Sequence, residues 1–283
     1  MDLERLNELV SSGTGSHFML DLDEKVYRSS VGIAQSDLKL IKSKSLYHYR
    51  YAKTSKKDTP ALILGRAIHK AIFEWDTFKD CYKVRPKDLN LRTKAGREEI
   101  AKMMEGGFEV LSREDMTMIK RMRMSIRRKP KIRDLIKGCQ FEKSHFARHN
   151  ERIILKCRTD GYDPKTNTIV DLKTTLDASP RTFIRDIFKY GYHIQDAFYI
   201  DVIEKITGET PSFKIVALEK SYPYEACQYE LSPKSVAIGR KDYMEQLERL
   251  DHSLKTNIWP SYDDSVVVRP PAWLEKQAFD DVE

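Results

Sequence analysis

Two hydrophobic rhythms alternate along the chain, one near 3.6 residues and one near two, and they predict its elements. Met1 to Val10 has the spacing of a short amphipathic helix, and the run from Ser11 to Ser16 has the composition of a flexible linker. Residues 36–51 read as one helix carrying Leu38, Ile41, Leu46 and Tyr49. A polar, basic loop, Lys53–Thr59, precedes a strongly apolar helix over Ala61–Phe73. There Leu62, Leu64, Ala67, Ile68, Ala71 and Ile72 wrap most of the circumference, which predicts burial. Residues 85–107 are polar and contain glycine, and are expected to form a mobile segment. Arg113–Lys137 is helical and very basic, with Pro130 expected to break or kink it, because proline lacks an N–H and its ring clashes with the preceding turn.

From residue 140 the period shortens. Gln140–Arg148 is a short candidate strand, and Arg152–Thr159 sets Ile153, Leu155 and Cys157 against Arg152, Lys156 and Arg158. Turn chemistry at Asp163-Pro164-Lys165-Thr166-Asn167 leads into a strand over Thr168–Thr175, so the two runs predict a β-hairpin. Ser179-Pro180 starts a helix, with serine as N-cap and proline in the first turn. Gly191 interrupts it, and a second helix runs from Tyr192 to Thr207 and stops at Gly208. Phe213–Glu219 is a further strand. Ser232–Lys255 is a long amphipathic helix with Val236, Tyr243, Leu247 and Leu250, and the proline-bearing tail after Trp259 is expected to be extended. No internal repeat is visible. Helices, strands, helix, strand, helix in that order predict one α/β domain with an N-terminal helical part.

Composition narrows the setting. The 283 residues are 40% hydrophobic and 33% charged, a mixture with enough apolar material for a real core. No run of about 18 apolar residues occurs, so no membrane span is expected. The charged start Met1-Asp2-Leu3-Glu4-Arg5 lacks the apolar core of a signal peptide, and a cytoplasmic location is expected. Residues 1–18 read as a flexible or artificially appended N-terminal segment, with a native start near Met19 and one domain over 19–283. Lys and Arg outnumber Asp and Glu by 50 to 43, a net charge of +7, which suits a polyanionic partner without establishing one. Cys81, Cys139, Cys157 and Cys227 are scattered, so buried free thiols are expected rather than a zinc or iron–sulfur site.

The candidate chemistry centres on Thr168-Ile169-Val170-Asp171-Leu172-Lys173-Thr174. Side chains alternate across a strand, so Val170, Leu172 and Thr174 take one face and Asp171 and Lys173 the other. Asp160 lies across the hairpin, where its carboxylate can approach that of Asp171. Two close carboxylates repel, a divalent cation removes the repulsion, and oxygen ligands suit hard Mg²⁺. Such an ion polarises a phosphoryl oxygen and acidifies a bound water. A neighbouring lysine can orient the nucleophile and offset transition-state charge. Each element also has a plainer reading. Asp-x-Lys on one strand face is often a surface ion pair, Asp160 could be turn chemistry, and His69 could be a core histidine of its apolar helix. Gly65 weakens that helix relative to alanine, and either admits a close backbone approach or is incidental. Gln195 and Tyr199, four apart, share a helix face, where they hold DNA or the lysine, or simply pack the helix.

In combination these residues resemble a known family. Gly65-x-x-x-His69, then Asp160, then Val170-Asp171-Leu172-Lys173-Thr174, then Gln195-x-x-x-Tyr199 resemble the RecB-type branch of the PD-(D/E)xK nucleases. Within it the chain is similar to the RecE-type exonuclease (exodeoxyribonuclease VIII) and related prophage proteins. That similarity rests on the segments 32–39, 158–160, 169–175 and 190–199, within residues 30–220. The resemblance implies a restriction-endonuclease-like α/β core, a central mixed sheet flanked by helices, and two-metal hydrolysis of duplex DNA from its ends. It implies Asp160 and Asp171 as metal ligands, His69 and the backbone carbonyl of Leu172 as further ligands, and Lys173 as the catalytic lysine. Gln195 and Tyr199 would support the active site or the DNA backbone. Two Mg²⁺ ions are implied, with Mn²⁺ able to substitute. Glu142 precedes Asp160 at a distance where relatives often have an acid, and ranks low among the candidates. Thr159 stands where the motif's name has proline, a departure that the superfamily tolerates.

DNA affinity comes largely from phosphate neutralisation. Arg121, Arg123, Arg127, Arg128 and Lys129 on the basic helix, together with Arg66, are the candidate contacts, and a merely solvated helix face is the alternative. Arg92-Thr93-Lys94 and Lys53–Lys57 are further options, and nothing resembles a base-reading module. By the resemblance, the chain is expected to form a homo-oligomer, a tetrameric ring. It would digest the 5′ strand of double-stranded DNA ends, giving single-stranded tails to a RecT-like annealing protein in recombination. An endonuclease or a Cas4-like end-trimming enzyme on the same core is the second reading. A non-catalytic DNA-binding module or an α/β interaction protein is the reading from another class.

Overall fold

A mixed sheet of six strands, with helices against both faces, organises the chain. The structure, a computed structural model, describes residues 3–11, 17–52, 59–271 and 274. In chain order its first half comprises α1 (Leu3–Ser11), β1 (His17–Asp21), α2 (Glu24–Ser29), α3 (Gln35–Ser43), α4 (Leu46–Arg50), α5 (Pro60–Phe73), β2 (Tyr82–Val84), α6 (Lys94–Met104), β3 (Glu109–Leu111), α7 (Arg113–Arg128) and α8 (Pro130–Lys137). The second half comprises β4 (Gln140–Arg148), β5 (Ile154–Asp163), β6 (Thr168–Thr175), α9 (Pro180–Lys189), α10 (Tyr192–Thr207), β7 (Ser212–Glu219), β8 (Ala226–Tyr229) and α11 (Pro233–Thr256). The sheet runs β1-β4-β5-β6-β7-β8, and every neighbouring pair is antiparallel except β6 and β7. Parallel neighbours need a long crossover, which α9 and α10 provide. β2 and β3 form a separate parallel pair. No described helix is long and apolar enough to cross a membrane.

The period-two pattern of β6 distributes its side chains between the layers. Val170 and Leu172 join Ala67, Ile68, Met122 and Ile126 in a core under α5, α7 and α8. Ile169 packs on the other face with Phe183, Ile203, Phe213 and Ile215 under α9 and α10. A strand covered on both faces should be apolar throughout, so the acid and base within β6 stand out. Helices α10 and α11 cross in close contact at Gly239. A Cβ built there would lie 2.0 Å from the carbonyl oxygen of His193.

The strands expected over Gln140–Arg148 and Thr168–Thr175, and the helix over Tyr192–Thr207, occur with those bounds. The basic helix breaks at Pro130, as anticipated, into α7 and α8. Elsewhere the structure corrects the pattern. The single helix expected over 36–51 is two, α3 and α4. The chain leaves helical geometry at Lys44, and the Ser45 hydroxyl accepts the His48 N–H to start afresh. Residues 85–107 contain α6, whose cap Thr93 accepts the Gly96 N–H. At the start of α9 the hydroxyl of Ser179 makes no cap bond. Asp177 braces the turn before the helix, accepting from the Ser179 N–H and the Thr182 hydroxyl.

The hydrophobic pattern does not predict four short strands, β1, β2, β3 and β8, since three to five residues give too little alternation to read. β1 pairs with β4, and Leu6 and Val10 of α1 pack against Leu22 and Phe146. Of the linker expected over Ser11–Ser16, Ser11 is the last residue of α1, and residues 12–16, like the basic stretch 53–57, lie outside the described residues. The tail after Trp259 has no helix or strand as far as Pro271.

Candidate active site

The site lies where β5 and β6 part. These strands pair from Asp163–Thr168 to Gly161–Val170 and no further. In the gap beyond, the Asp160 carboxylate stands in for a strand, its Oδ2 accepting the Leu172 N–H at 2.8 Å. The register between β4 and β5 is likewise broken at one step, Glu142 opposite Asp160. Glu142 has φ +52°, the left-handed region. A non-glycine residue held there costs about 1–3 kcal/mol, and such strain concentrates at functional sites. His69 approaches from α5, its Nδ1 3.4 Å from Asp160 Oδ2. One ligand atom from each of His69, Glu142 and Asp160 lies within 4.8 Å of the others.

Asp171 and Lys173 share the opposite face of β6 from Val170 and Leu172, as the alternation predicts. That face is roofed by α10, which begins after Gly191 in left-handed backbone (φ +75°) and lowers Gln195 onto the strand. Three groups then close on one another. Lys173 Nζ lies 2.7 Å from Asp171 Oδ2, the Gln195 amide donates to Asp171 Oδ1 at 2.7 Å, and Lys173 donates to Gln195 Oε1 at 2.9 Å. Asp171 is only 3% exposed.

The electrostatics follow from this packing. Burial opposes a charge on His69, but the charge of Asp160 and their hydrogen bond outweigh it, and the imidazole pKa is raised. Burial likewise works against the Asp160 carboxylate, yet His69, Lys173 and the Leu172 N–H hold its pKa below the usual value. Asp171 goes the other way. Burial raises its pKa, Lys173 opposes that, and Asp160 adds to it. For Lys173, burial favours the neutral amine, but Asp171 and Asp160 reverse this and raise its pKa. Burial and then Asp160 raise the pKa of Glu142, while Arg158 restrains the shift by donating Nε–H to Oε2 at 2.7 Å. Three carboxyls, Asp171 buried and Asp160 and Glu142 half-buried, thus compete for charge in one place. Asp171 Oδ2 is buried against Lys173 Nζ, its ion-pair partner. Carboxylate oxygens and one imidazole gathered in one place suit a divalent cation.

The structure brings some of the expected residues together and leaves others apart. His69 and Asp160 share the ligand group. Asp171 stands outside it, turned to Lys173 and Gln195, and Glu142 takes the third place. The Leu172 N–H points into the gap, and in a strand the carbonyl of the same residue points to the same side. Tyr199 packs edge-on against Phe213 at 6.1 Å and bonds to none of these side chains among the described residues. Arg66 lines the cleft in front of the site, which has a volume of about 850 Å³, and is ion-paired with Glu109. On α7, Arg121, Arg127 and Arg128 are exposed, and Arg123 lies 4.4 Å over the Trp75 ring. Lys129 is paired with Glu225 at 2.5 Å. Arg158, the partner of Glu142, enters the sequence pattern only as part of the 158–160 segment. Alternation along β5 sets it on the same side as Asp160, and that was the available signal.

A mixed sheet whose parting strands carry Asp160, Asp171 and Lys173 defines the PD-(D/E)xK class of fold. The chain belongs to the family described as "PDDEXK-like domain of unknown function (DUF3799)", whose profile matches residues 38–267. Comparison with curated proteins gives no match. Among solved structures, the chain is similar to a protein from Eubacterium rectale described as a "putative exonuclease". The TM-score is 0.61 at 14% identity, over 92% of this chain and 99% of that one. At that identity the likeness is one of fold. The protein SSO0001 overlaps 66% of this chain and 86% of its own length, at TM-score 0.30 and 12% identity, too far to bear on the fold.

Proposed function

We propose that this protein is a Mg²⁺-dependent exonuclease that digests linear double-stranded DNA from its ends, 5′ to 3′. The observation that carries this reading is the His69, Glu142 and Asp160 group, joined through the Leu172 amide to Asp171, Lys173 and Gln195. His69, Glu142, Asp160 and Asp171, with the Leu172 carbonyl, would hold one or two ions, and Mn²⁺ suits the same donors. When bound, such an ion polarises a phosphoryl oxygen and acidifies water. Lys173, held cationic by Asp171 and Asp160, serves as a charge and proton donor toward the phosphoryl oxygens rather than as a base. Gln195 fixes its direction. The exposed arginines of α7, which packs against the helix bearing His69, would neutralise DNA phosphates.

The finer role rests on the resemblance to RecE-type enzymes. In that role the chain is a ring-shaped homotetramer that passes single-stranded tails to a RecT-like annealing protein. The test is Mg²⁺-dependent digestion of a linear duplex labelled at one 5′ end, beside a closed circle, with Asp171→Ala as control. Release of the label, an untouched circle and an inactive variant support the exonuclease. Cutting of the circle moves the reading to an endonuclease on the same core. No cleavage of either DNA with Mg²⁺ or Mn²⁺ overturns both. Sedimentation of the native protein tests the tetramer.

A further inference from the structure

Two adjacent rings with a cation at each end lead outward from the catalytic lysine. Lys173 Nζ lies 4.9 Å from the centroid of the Tyr192 ring. Tyr192 and Tyr190 have centroids 5.9 Å apart with planes tilted by 37°. Lys189 Nζ then lies 5.3 Å from the Tyr190 ring. The inner ring is half-buried and backed by Phe183 at 6.1 Å, whereas Tyr190 is 45% exposed. An exposed aromatic by itself means little. Here the backbone under it is fixed at both ends. The Tyr190 N–H donates to the Asp186 carbonyl at 2.9 Å, the Tyr190 carbonyl accepts a bond from Lys39 Nζ at 3.0 Å, and Gly191 next to it makes the left-handed turn into α10. The exposed ring is therefore held in register with the site rather than left on a loose loop.

Single-stranded nucleic acid is recognised by this chemistry. Bases stack on aromatic faces, cations meet the backbone, and every base is accepted because every base has a π-face. We propose that Tyr190 is the stacking platform for the nucleobase next to the scissile phosphate, with Tyr192 as the positioning residue that sets its distance from Lys173. The ligand is an unpaired nucleobase of any identity. The inference rests on the proposed nuclease reading and deepens it. It gives the site a hold on the strand end that does not depend on sequence.

The test uses Tyr190→Ala and Tyr190→Phe with linear duplexes carrying either a normal or an abasic nucleotide at the cleaved end. Stacking is read separately in buffer with Ca²⁺ in place of Mg²⁺, by quenching of a terminal 2-aminopurine. Tyr190→Ala should raise KM about tenfold on normal ends and change kcat less, the scale expected for losing one stacked base. Tyr190→Phe should match the native protein. On abasic ends, the native protein should fall to the level of Tyr190→Ala. The fluorophore should be quenched by the native protein and Tyr190→Phe, but not by Tyr190→Ala. Equal cleavage of normal and abasic ends by the native protein, or an unchanged KM and full quenching in Tyr190→Ala, overturns the platform and leaves the nuclease standing. A native protein that neither cleaves nor quenches overturns both. Melting curves should coincide, because the ring lost is half exposed.

Discussion

Gly239→Ala should unfold more easily than the native protein and lose activity, although alanine is the better helix former. A Cβ at Gly239 would sit 2.0 Å from the His193 carbonyl oxygen, 2.6 Å from its carbon and 3.1 Å from the Ile194 Cα. Carbon contacts relax at about 3.5–4.0 Å, so α10 and α11 must part by on the order of 1 Å. Overpacking of this kind costs about 1–3 kcal/mol, against a gain of about 1 kcal/mol from replacing glycine within a helix. The net expectation is a loss of up to about 2 kcal/mol, read as a lower urea midpoint at unchanged slope. The parting falls at residues 193 and 194, directly before Gln195, whose bonds to Asp171 and Lys173 are 2.7 and 2.9 Å long. A shift of that size at a catalytic constellation can cost about 100-fold in rate. Gly65→Ala is the internal control, because nothing lies within 4 Å of a Cβ at that helical position. It should be more stable than the native protein by about 0.5–1 kcal/mol. If Gly239→Ala is stabilised to the same degree, the close crossing of α10 and α11 is refuted.

Further perturbations test other parts of the structure. Burial pushes the His145 imidazole pKa down to about 3. Its folded pKa lies below its unfolded value, so the unfolded chain binds the extra proton and stability falls as pH drops through 6.5. Between pH 7.5 and 5 this amounts to about 2 kcal/mol, which should vanish from the urea midpoints of His145→Gln. Asp160→Ala should melt lower even without metal, since the Leu172 N–H loses its acceptor at about 1–3 kcal/mol. Asp160→Asn keeps an acceptor and should melt near the native temperature while losing activity. Chelation should abolish cleavage. A divalent ion at one hundred times its Kd should stabilise the fold by about 2.7 kcal/mol, an increment that calorimetry should find absent from Glu142→Gln.

Much of the site was legible because it is local. The alternation along Thr168–Thr174 set Asp171 and Lys173 apart from Val170 and Leu172, and the structure places them so. Gln195 was visible through its spacing from Tyr199, but four residues along a helix do not say which of the two reaches the strand. Gln195 does, and Tyr199 stays against Phe213. Glu142 ranked low because nothing local distinguishes it. Its approach to Asp160 depends on pairing across a hairpin and on a backbone angle that glutamate seldom adopts. Helix α6 escaped for a different reason. Its helicity comes from the Thr93 cap and from residues of good helix propensity, not from an apolar stripe.

Because Asp171, Lys173 and Gln195 satisfy one another, none of the three can drift alone. Losing the lysine strands a buried carboxylate, losing the carboxylate strands a buried ammonium, and losing the amide leaves both with an open bond. Each single step is a worse protein than either end point, so the neighbourhood of this sequence is steep at these positions and gentle around them. Descendants of the chain should keep the three together or shed them together. A lineage that abandoned catalysis would then show it first as a joint replacement at 171, 173 and 195 by apolar residues of matching volume.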